Sequence, residues 1–213
     1  MDARRHWDSV YRQKGAEEVS WYQAESRLSL ELIHRAAPST DARILDVGGG
    51  ASKLVDGLLA AGYTRVGVLD VSFAALEQAR SRLGPSAAAV RWIEADILTA
   101  DLPEHGVDVW HDRATFHFLT AARDRARYVE QVRHVVRPGG HVLIATFAED
   151  GPTHCSGLEV ARYAPDALHH EFGADFRLVQ SAREEHVTPS GARQAFTYCL
   201  CRYEPHVHAR SAA

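Results

Sequence analysis

The most constraining feature of this sequence is an apolar run that ends in an acid and is followed by three glycines, at residues 44–50. Residues 53–61 then have the apolar periodicity of a helix. Because glycine has no Cβ and adopts positive φ readily, such a turn lets a ligand approach the backbone. The free N–H groups at the start of a helix point toward the same place. This stretch therefore predicts a strand, a ligand-binding turn and a helix in direct succession.

The rest of the chain alternates between the patterns of strands and helices, which predicts a mostly parallel sheet with helices on both faces. Residues 98–106 are too short and too interrupted for a full helix. Two segments at 176–186 and 194–203 flank turn-forming residues and predict a hairpin. We therefore expect an α/β, Rossmann-like, doubly wound fold. The five earlier strands are predicted at 44–47, 65–70, 90–93, 107–110 and 141–147.

The length of 213 residues suits one domain, predicted to span residues 1–204. Two amphipathic helices at 2–14 and 26–37 belong to an N-terminal part, residues 1–37, that we expect to act as a helical lid. Residues 205–213 are expected to form a flexible tail.

Local signals also predict where individual helices begin and which side chains they bury. Ser72 is expected to cap a helix with Phe73 on its inner face, and Thr120 is expected to cap the helix that follows it. Residues 137–140, Arg-Pro-Gly-Gly, predict a turn before the fifth strand.

Composition and cysteine content indicate which partners and which cellular compartment to expect. The formal net charge of −4 argues against nucleic acid, since proteins that bind it usually carry a basic surface. We expect no membrane contact, because no stretch approaches the length of a span and no signal core precedes the domain. Cys155, Cys199 and Cys201 contain no CxxC motif, which favours reduced thiols and a cytoplasmic protein. The histidines lack ligand spacing, so no metal is expected.

Acids end the first three predicted strands, and the carboxyl ends of parallel strands share one crevice. Asp70 can accept both hydroxyls of a ribose, and Asp96 can accept from the exocyclic amine of an adenine. Val71 and Ile97 can sandwich the base. Asp46, at the glycine turn, can engage an amino group. These groups describe a ligand with a ribose, an adenine and an ammonium group.

A nicotinamide dinucleotide is the main competing ligand, and its fingerprint is G-x-G-x-x-G. The series here is Gly48, Gly50 and then Lys53, so the third glycine is missing. Asp46 would also repel a pyrophosphate placed at this turn. Both observations favour S-adenosylmethionine (SAM) over a dinucleotide.

Residues 44–50 resemble motif I of the class I SAM-dependent methyltransferases, and residues 68–70, 95–97 and 137–140 resemble later motifs of that superfamily. The resemblance covers residues 43–203. It implies a seven-stranded sheet, methyl transfer and SAM as the cofactor. The full expected cofactor site is Tyr22, Asp46, Gly48, Gly49, Gly50, Asp70, Val71, Asp96, Ile97 and His111.

The methyl acceptor is expected beside residues 110–118, directly after the fourth strand. Asp112 and Arg113 are predicted to bind and position the acceptor, and His111 or His117 to accept a proton, because histidine titrates near neutrality. These four form the predicted catalytic set. The alternative is that Asp112 and Arg113 are an internal ion pair and that the histidines line a helix surface.

Two further resemblances point to different acceptors. Residues 112–114, Asp-Arg-Ala, resemble the segment after strand four in thiopurine and tellurite-resistance methyltransferases, which implies a sulfur-like nucleophile. Trp7-Asp8, Tyr11 and Trp21-Tyr22 resemble the opening of the citrate synthase and elongation-factor lysine methyltransferases. The chain departs from that group after strand four, where it lacks Asp-Lys-Gly-Thr.

Aromatic residues near the N-terminus are candidates for closing the site, because aromatic faces attract a sulfonium. Trp21, Tyr22 and Gln23 are the expected lid residues, whereas Trp7 and Tyr11 are expected only to pack helices on the sheet. The long loop 148–163 is expected to overhang the site. Its thiol, that of Cys155, is not expected to act as a nucleophile.

We therefore expect a SAM-dependent methyltransferase acting on a small molecule, with a thiol-like nucleophile as one possibility. One alternative is a protein lysine methyltransferase, whose substrate would be a protein. A second is a non-catalytic SAM-binding regulatory module.

Overall fold

A seven-stranded sheet forms the centre of the computed structural model, which describes residues 2–205. The strands are β1 (Arg43–Val47), β2 (Arg65–Asp70), β3 (Val90–Glu94), β4 (Val107–Arg113), β5 (Val136–Phe147), β6 (His154–Cys155), β7 (Leu158–Glu159), β8 (Phe176–Val187) and β9 (Arg193–Tyr203). The helices are α1 (Ala3–Gln13), α2 (Arg27–Ala36), α3 (Leu54–Ala60), α4 (Phe73–Leu83), α5 (Ala122–Val135) and α6 (Pro165–Phe172). Short 3-10 helices span Gly84–Ala89 and Phe116–Phe118.

The strand order is β3-β2-β1-β4-β5-β9-β8, and β6 and β7 form a separate two-residue ladder. Strands β1 to β5 pair in parallel, and β9 pairs antiparallel with β5 and β8. The predicted doubly wound α/β fold with a C-terminal hairpin is confirmed. The chain reverses its direction of winding between β1 and β4, so the crevice lies beyond the carboxyl ends of these two strands.

The core lies on both faces of this sheet because its central strands are apolar on both sides. Helices α2 and α3 cover one face, where Ile33 and Leu58 are fully buried, with α2 packed on β4 and β5 and α3 on β2. Helices α5 and α6 cover the other, where Val132 and Leu168 are fully buried. Burying such a side chain stabilises the fold by about 1.5–3 kcal/mol. The two helical layers thus hold the carboxyl ends of β1 and β4 in fixed positions.

Strand β4 is longer than predicted, because residues 111–113 continue to pair with β5 as far as Arg113 opposite Ala145. The prediction that these residues follow the strand is therefore wrong. Successive residues of a strand face opposite sides of the sheet. His111 and Arg113 consequently share one face and Asp112 lies on the other.

Three local predictions are also corrected. Phe73 is 47% exposed, since the buried face of α4 falls on Ala75, Leu76 and Ala79. The N-cap of α5 is Ala121 rather than Thr120.

Residues 137–140 belong to β5 instead of forming a turn. Val107 pairs with Val136 and Val109 pairs with His141, so the four residues 137–140 stand opposite Asp108 alone, and Gly139 has a φ of +78°, as in an extended strand bulge. Of the predicted tail, residues 206–213 lie outside the described residues.

Candidate active site

The glycine turn after β1 can contain only very small residues. Gly48 and Gly50 have positive φ, +64° and +49°, and the N–H groups of Gly48 and Gly49 donate to Leu69 O at 2.7 and 3.2 Å. A Cβ on Gly48 would lie 1.7 Å from Thr115 Oγ1, and one on Gly49 would lie 2.5 Å from Asp46 Oδ2. The absence of side chains at Gly48 and Gly49 therefore lets Thr115 and Asp46 pack directly against the backbone of the turn.

Asp70, at the end of β2, is a buried carboxylate whose Oδ1 accepts from Ser72 N at 2.8 Å. Burial, reinforced by the charge of Asp46, raises the pKa of Asp70 to about 7. Gly50 N–H also points to this carboxylate. Ser72 caps α4, as predicted, and its hydroxyl donates to Asp8 of α1, which ties the N-terminal helix to this end of the sheet.

His111 and Asp46 form a buried pair with Ser29 of α2. Asp46 Oδ1 lies 2.7 Å from His111 Nδ1, and His111 Nε2 lies 2.9 Å from Ser29 Oγ. Both ring nitrogens of His111 therefore have partners. The imidazole is placed to orient the Asp46 carboxylate rather than to accept a proton from an acceptor.

Arg113 spans the face of the sheet that His111 also occupies. Its guanidinium donates to Tyr198 Oη at 2.9 Å, to Trp21 O at 3.2 Å and to Glu184 Oε2 at 3.3 Å. It also lies 4.1 Å from the centre of the Phe196 ring. The expected alternative of an ion pair between Asp112 and Arg113 is wrong, because their side chains leave opposite faces of β4.

Asp112 is fully buried on the other face. Its carboxylate accepts from Thr115 N at 2.9 Å, from Phe116 N at 3.0 Å and from Tyr128 Oη. Burial raises its pKa to about 6. The structure thus contradicts a direct contact between Asp112 and an acceptor, since these donors occupy both of its oxygens and hold the segment after β4.

His117 is also fully buried and lies off the cavity walls. Its Nδ1 accepts from Phe147 N at 3.4 Å. Burial, and then the nearby charge of Arg113, lower the pKa of His117 to about 3. The ring is therefore neutral. The prediction that His117 lies beside the substrate as a proton acceptor is wrong, because the side chain is buried away from both cavities.

Two adjoining cavities open beyond the carboxyl ends of β1 and β4. Four of the residues that line the larger cavity follow β2 and β3 in the sequence and are here called the acid side: Asp70, Val71, Asp96 and Ile97. Seven others come from α1, from the segment after β4 and from β6, and are here called the aromatic side: Ala3, Trp7, Ala114, Thr115, Phe118, Leu119 and Cys155. The smaller cavity includes Tyr22, Asp46, Gly49 and His111. The residues lining both cavities, here called the junction, are Tyr11, Trp21, Gly48 and Arg113.

The predicted cofactor residues are thus brought together, with the exception that Gly50 lines neither cavity. Its Cβ position faces Tyr11 Oη at 2.8 Å and Asp70 Oδ2 at 3.2 Å. Asp96 is exposed at the cavity rim and accepts from Leu98 N at 2.9 Å.

Trp7 and Tyr11 do more than pack α1 on the sheet, so that expectation is corrected. Trp7 forms edge contacts with Trp21 and Phe118, at centroid distances of 5.7 and 5.0 Å, and lines the larger cavity. Trp21 Nε1 donates to Tyr11 Oη at 3.2 Å. The cause is the Ser72–Asp8 link, which turns the apolar face of α1 over the glycine turn.

Two residues beside the site, Glu184 and Tyr198, were not predicted from the sequence. Tyr198 Oη and Gln23 Nε2 each donate to the Glu184 carboxylate at 2.9 Å, and His186 Nε2 lies 2.8 Å from Ser20 O. The alternating pattern of β8 and β9 carries no local sign of this role, because it depends on the hairpin lying beside β5. These contacts fasten the predicted lid residues to the hairpin.

The loop after β5 overhangs the larger cavity, as predicted. Cys155 lines it from β6, and burial raises the pKa of the Cys155 thiol to about 11. The thiol is therefore protonated at neutral pH, which agrees with the expectation that it is no nucleophile. Cys199 and Cys201 are free thiols with sulfurs 3.3 Å apart.

Within residues 2–205, no three metal-ligating side chains form a group that would hold an ion. None of the helices in this part of the chain combines the length and apolar character needed to cross a bilayer.

Comparison with known proteins finds similar sequences and folds. Residues 44–140 match the model of a family described as a methyltransferase domain. An uncharacterized methyltransferase of Mycobacterium tuberculosis is 33% identical over 120 residues, which cover 54% of this chain and 56% of that protein. The match thus spans about half the length of that relative.

Solved structures share nearly the whole fold. A chain studied for the conversion of a disulfide bond into a thioacetal group during echinomycin biosynthesis has a TM-score of 0.76 at 17% identity, covering 94% of this chain and 91% of that one. The 1,6-didemethyltoxoflavin-N1-methyltransferase of Burkholderia thailandensis, solved with S-adenosylhomocysteine (SAH), has a TM-score of 0.66 at 18% identity, with coverages of 95% and 84%. At these identities the likeness concerns the fold.

Proposed function

We propose that this chain, whose residues 44–140 match the methyltransferase domain, is a class I SAM-dependent methyltransferase that transfers the methyl group of SAM to a small-molecule acceptor with a thiol-like nucleophile. SAM, the cofactor of this superfamily, supplies an electrophilic methyl group on a sulfonium. The protein then needs to bind and orient both molecules and to exclude water.

The residues present fit this cofactor. On the acid side, Asp70 would accept the ribose hydroxyls, Val71 and Ile97 would cover the adenine faces, and Asp96 would accept from its amine. In the smaller cavity, Asp46 would receive the ammonium group. Gly48 completes the cradle, because it lines both cavities and its missing Cβ lets Thr115 pack against the turn.

The observation that carries the choice of acceptor is the composition of the aromatic side. It contains aromatic and aliphatic side chains, one hydroxyl and one protonated thiol, and none of its residues is a carboxylate or an imidazole. Asp112 and His117, the predicted candidates, are buried elsewhere. An acceptor there must be nucleophilic without help from a protein base, and thiols meet this condition because they ionise near neutral pH.

Protein lysine methylation is the alternative, and this composition disfavours it. A lysine ammonium must lose a proton before it attacks, which calls for a proton acceptor or a neutralising pocket. The cavity roof formed by Trp7 and Trp21 also favours a flat apolar body over an extended peptide. The match to the methyltransferase domain and the fit of the cradle together favour catalysis over a purely regulatory SAM-binding module.

We further propose that residues 1–37 act as a lid, supported by the position of Trp7, Tyr11 and Trp21 over the cavity. A cytoplasmic setting is proposed from the free, closely spaced thiols of Cys199 and Cys201, which persist in reducing compartments.

The test is transfer of a labelled methyl group from SAM into a panel of aryl thiols, alkyl thiols, amines, phenols and cell-extract proteins. The proposal expects label in one or more small thiols. Label confined to proteins would establish the lysine alternative, and SAM binding without transfer to any acceptor would favour the regulatory one.

A further inference from the structure

The junction between the two cavities defines where a bound cofactor places its sulfur. The acid side receives the adenosyl part, and the smaller cavity receives the methionine part. The atom that joins these parts therefore lies near the residues that line both cavities: Tyr11, Trp21, Gly48 and Arg113. Two of these offer aromatic faces, which suit a sulfonium. The fourth is a guanidinium, which repels it.

Solvent screens the charge of Arg113 only weakly, because its side chain is only 9% exposed. Charges interact more strongly in such a region than in water. Asp46 and Asp70 also face this region, but Asp46 is paired with His111, and Asp70 accepts from Ser72 and Gly50. The counter-charge that contacts Arg113 itself comes from Glu184.

Glu184 is held in position by several contacts although it lines neither cavity. It accepts from Arg113 Nη2 at 3.3 Å, from Tyr198 Oη at 2.9 Å and from Gln23 Nε2 at 2.9 Å. Its carboxylate is thus fixed on the side of Arg113 that faces the hairpin. The arrangement brings a negative charge next to the guanidinium without placing it in the cofactor's path.

We propose that Glu184 is a positioning residue that neutralises Arg113 so that the positively charged SAM can occupy the junction. The inference rests on the cofactor assigned above and extends it to a residue of the C-terminal hairpin. SAH has the same adenosyl and amino-acid parts but an uncharged sulfur. Glu184 therefore favours the binding of SAM, whose sulfur is charged, and contributes little to the binding of SAH.

The test compares the affinities of SAM and SAH, measured by isothermal titration calorimetry on the full chain. In Glu184→Gln the ratio of SAM affinity to SAH affinity should fall about tenfold, because the unneutralised guanidinium repels only the sulfonium. Glu185→Gln is the matched control, since this neighbouring side chain is 57% exposed, pairs with Arg193 and points away from the site. Its ratio should equal that of the wild type.

A double variant shows whether Arg113 mediates the effect. Arg113→Met combined with Glu184→Gln removes both charges and should return the ratio to within about threefold of the wild type. Equal weakening of SAM and SAH in Glu184→Gln would mean that Glu184 only holds the lid, and an unchanged ratio would also overturn the proposal. Failure of the wild type to bind either molecule would instead contradict the cofactor and the proposed function.

Discussion

Asp112 and Arg113 are neighbours in the sequence, yet their side chains lie on opposite faces of the sheet. Asp112 contacts Tyr128 of α5, whereas Arg113 contacts Tyr198 of β9. The two residues therefore have different roles. Asp112 holds the backbone after β4, and Arg113 lines both cavities. Each side chain can therefore be tested by a different measurement.

Asp112→Ala should lower the free energy of unfolding by about 2–3 kcal/mol, because it leaves the buried Phe116 N–H and Tyr128 hydroxyl and the part-buried Thr115 N–H without an acceptor. Urea denaturation measures this change. Asp101→Ala is the control, since Asp101 is exposed, and it should stay within about 0.5 kcal/mol of the wild type. Unchanged stability with lost turnover would restore the direct catalytic role predicted for Asp112.

If Asp70 has its proposed role, the affinity for SAM should rise about tenfold between pH 6 and pH 8, because its pKa is about 7 and an ionised carboxylate accepts from ribose hydroxyls better than a protonated one. Calorimetry at both pH values measures this rise. Asp70→Asn should abolish it, while Asp41→Asn, an exposed acid far from the cavity, should retain it.

The same group sets a pH dependence of stability in the unliganded protein. The folded-state pKa of about 7 lies above the ordinary value of 3.8, so the folded state binds the proton more tightly than the unfolded state. This contribution to stability is present below about pH 4 and is lost as pH rises to 7. Asp70→Asn should therefore be relatively more stable at pH 7 than at pH 5, and the opposite trend in thermal melting would contradict the pKa shift.

Gly48→Ala should abolish SAM binding and destabilise the fold by about 2 kcal/mol or more, because the added Cβ meets Thr115 Oγ1 and the residue has positive φ. Gly84→Ala isolates the backbone part of this effect. Gly84 also has positive φ, +56°, but no atom lies within 4 Å of its Cβ position. That variant should lower the free energy of unfolding by about 1–3 kcal/mol, because Gly84 has a ψ of −130°, which L-residues rarely adopt at positive φ, and it should keep SAM affinity. Equal effects in both variants would mean that the turn does not require close packing.

The pH profile of turnover should follow the acceptor rather than the enzyme. With no protein base on the aromatic side, kcat/KM should rise with the ionised fraction of the thiol, so its midpoint should shift between two aryl thiols of different pKa. Steady-state rates from pH 5 to 9 measure this shift, at saturating SAM. A midpoint that stays constant for both thiols would reveal a base in the protein.

Much of the fold could be predicted because its signals are local. Apolar runs of strand length, the glycines after Asp46 and the Ser72 cap each determine the structure of their own segment. Parallel topology then brings the strand-end acids together, so Asp46, Asp70 and Asp96 reach one crevice. These residues are correctly placed by sequence reasoning alone.

The tertiary structure decided what no local pattern contains. Where β4 ends depends on its hydrogen bonds to β5, and that end determines which face Asp112 and Arg113 occupy. The partners of Arg113 lie 71 and 85 residues away in sequence, at Glu184 and Tyr198. The sequence by itself determined where the strand-end acids and the glycine turn meet, because their positions follow from the parallel strand ends and the turn. Only tertiary packing placed Glu184 beside Arg113 at the junction and Trp7 and Trp21 over the cavity, because both arrangements arise from contacts between elements that are distant in sequence.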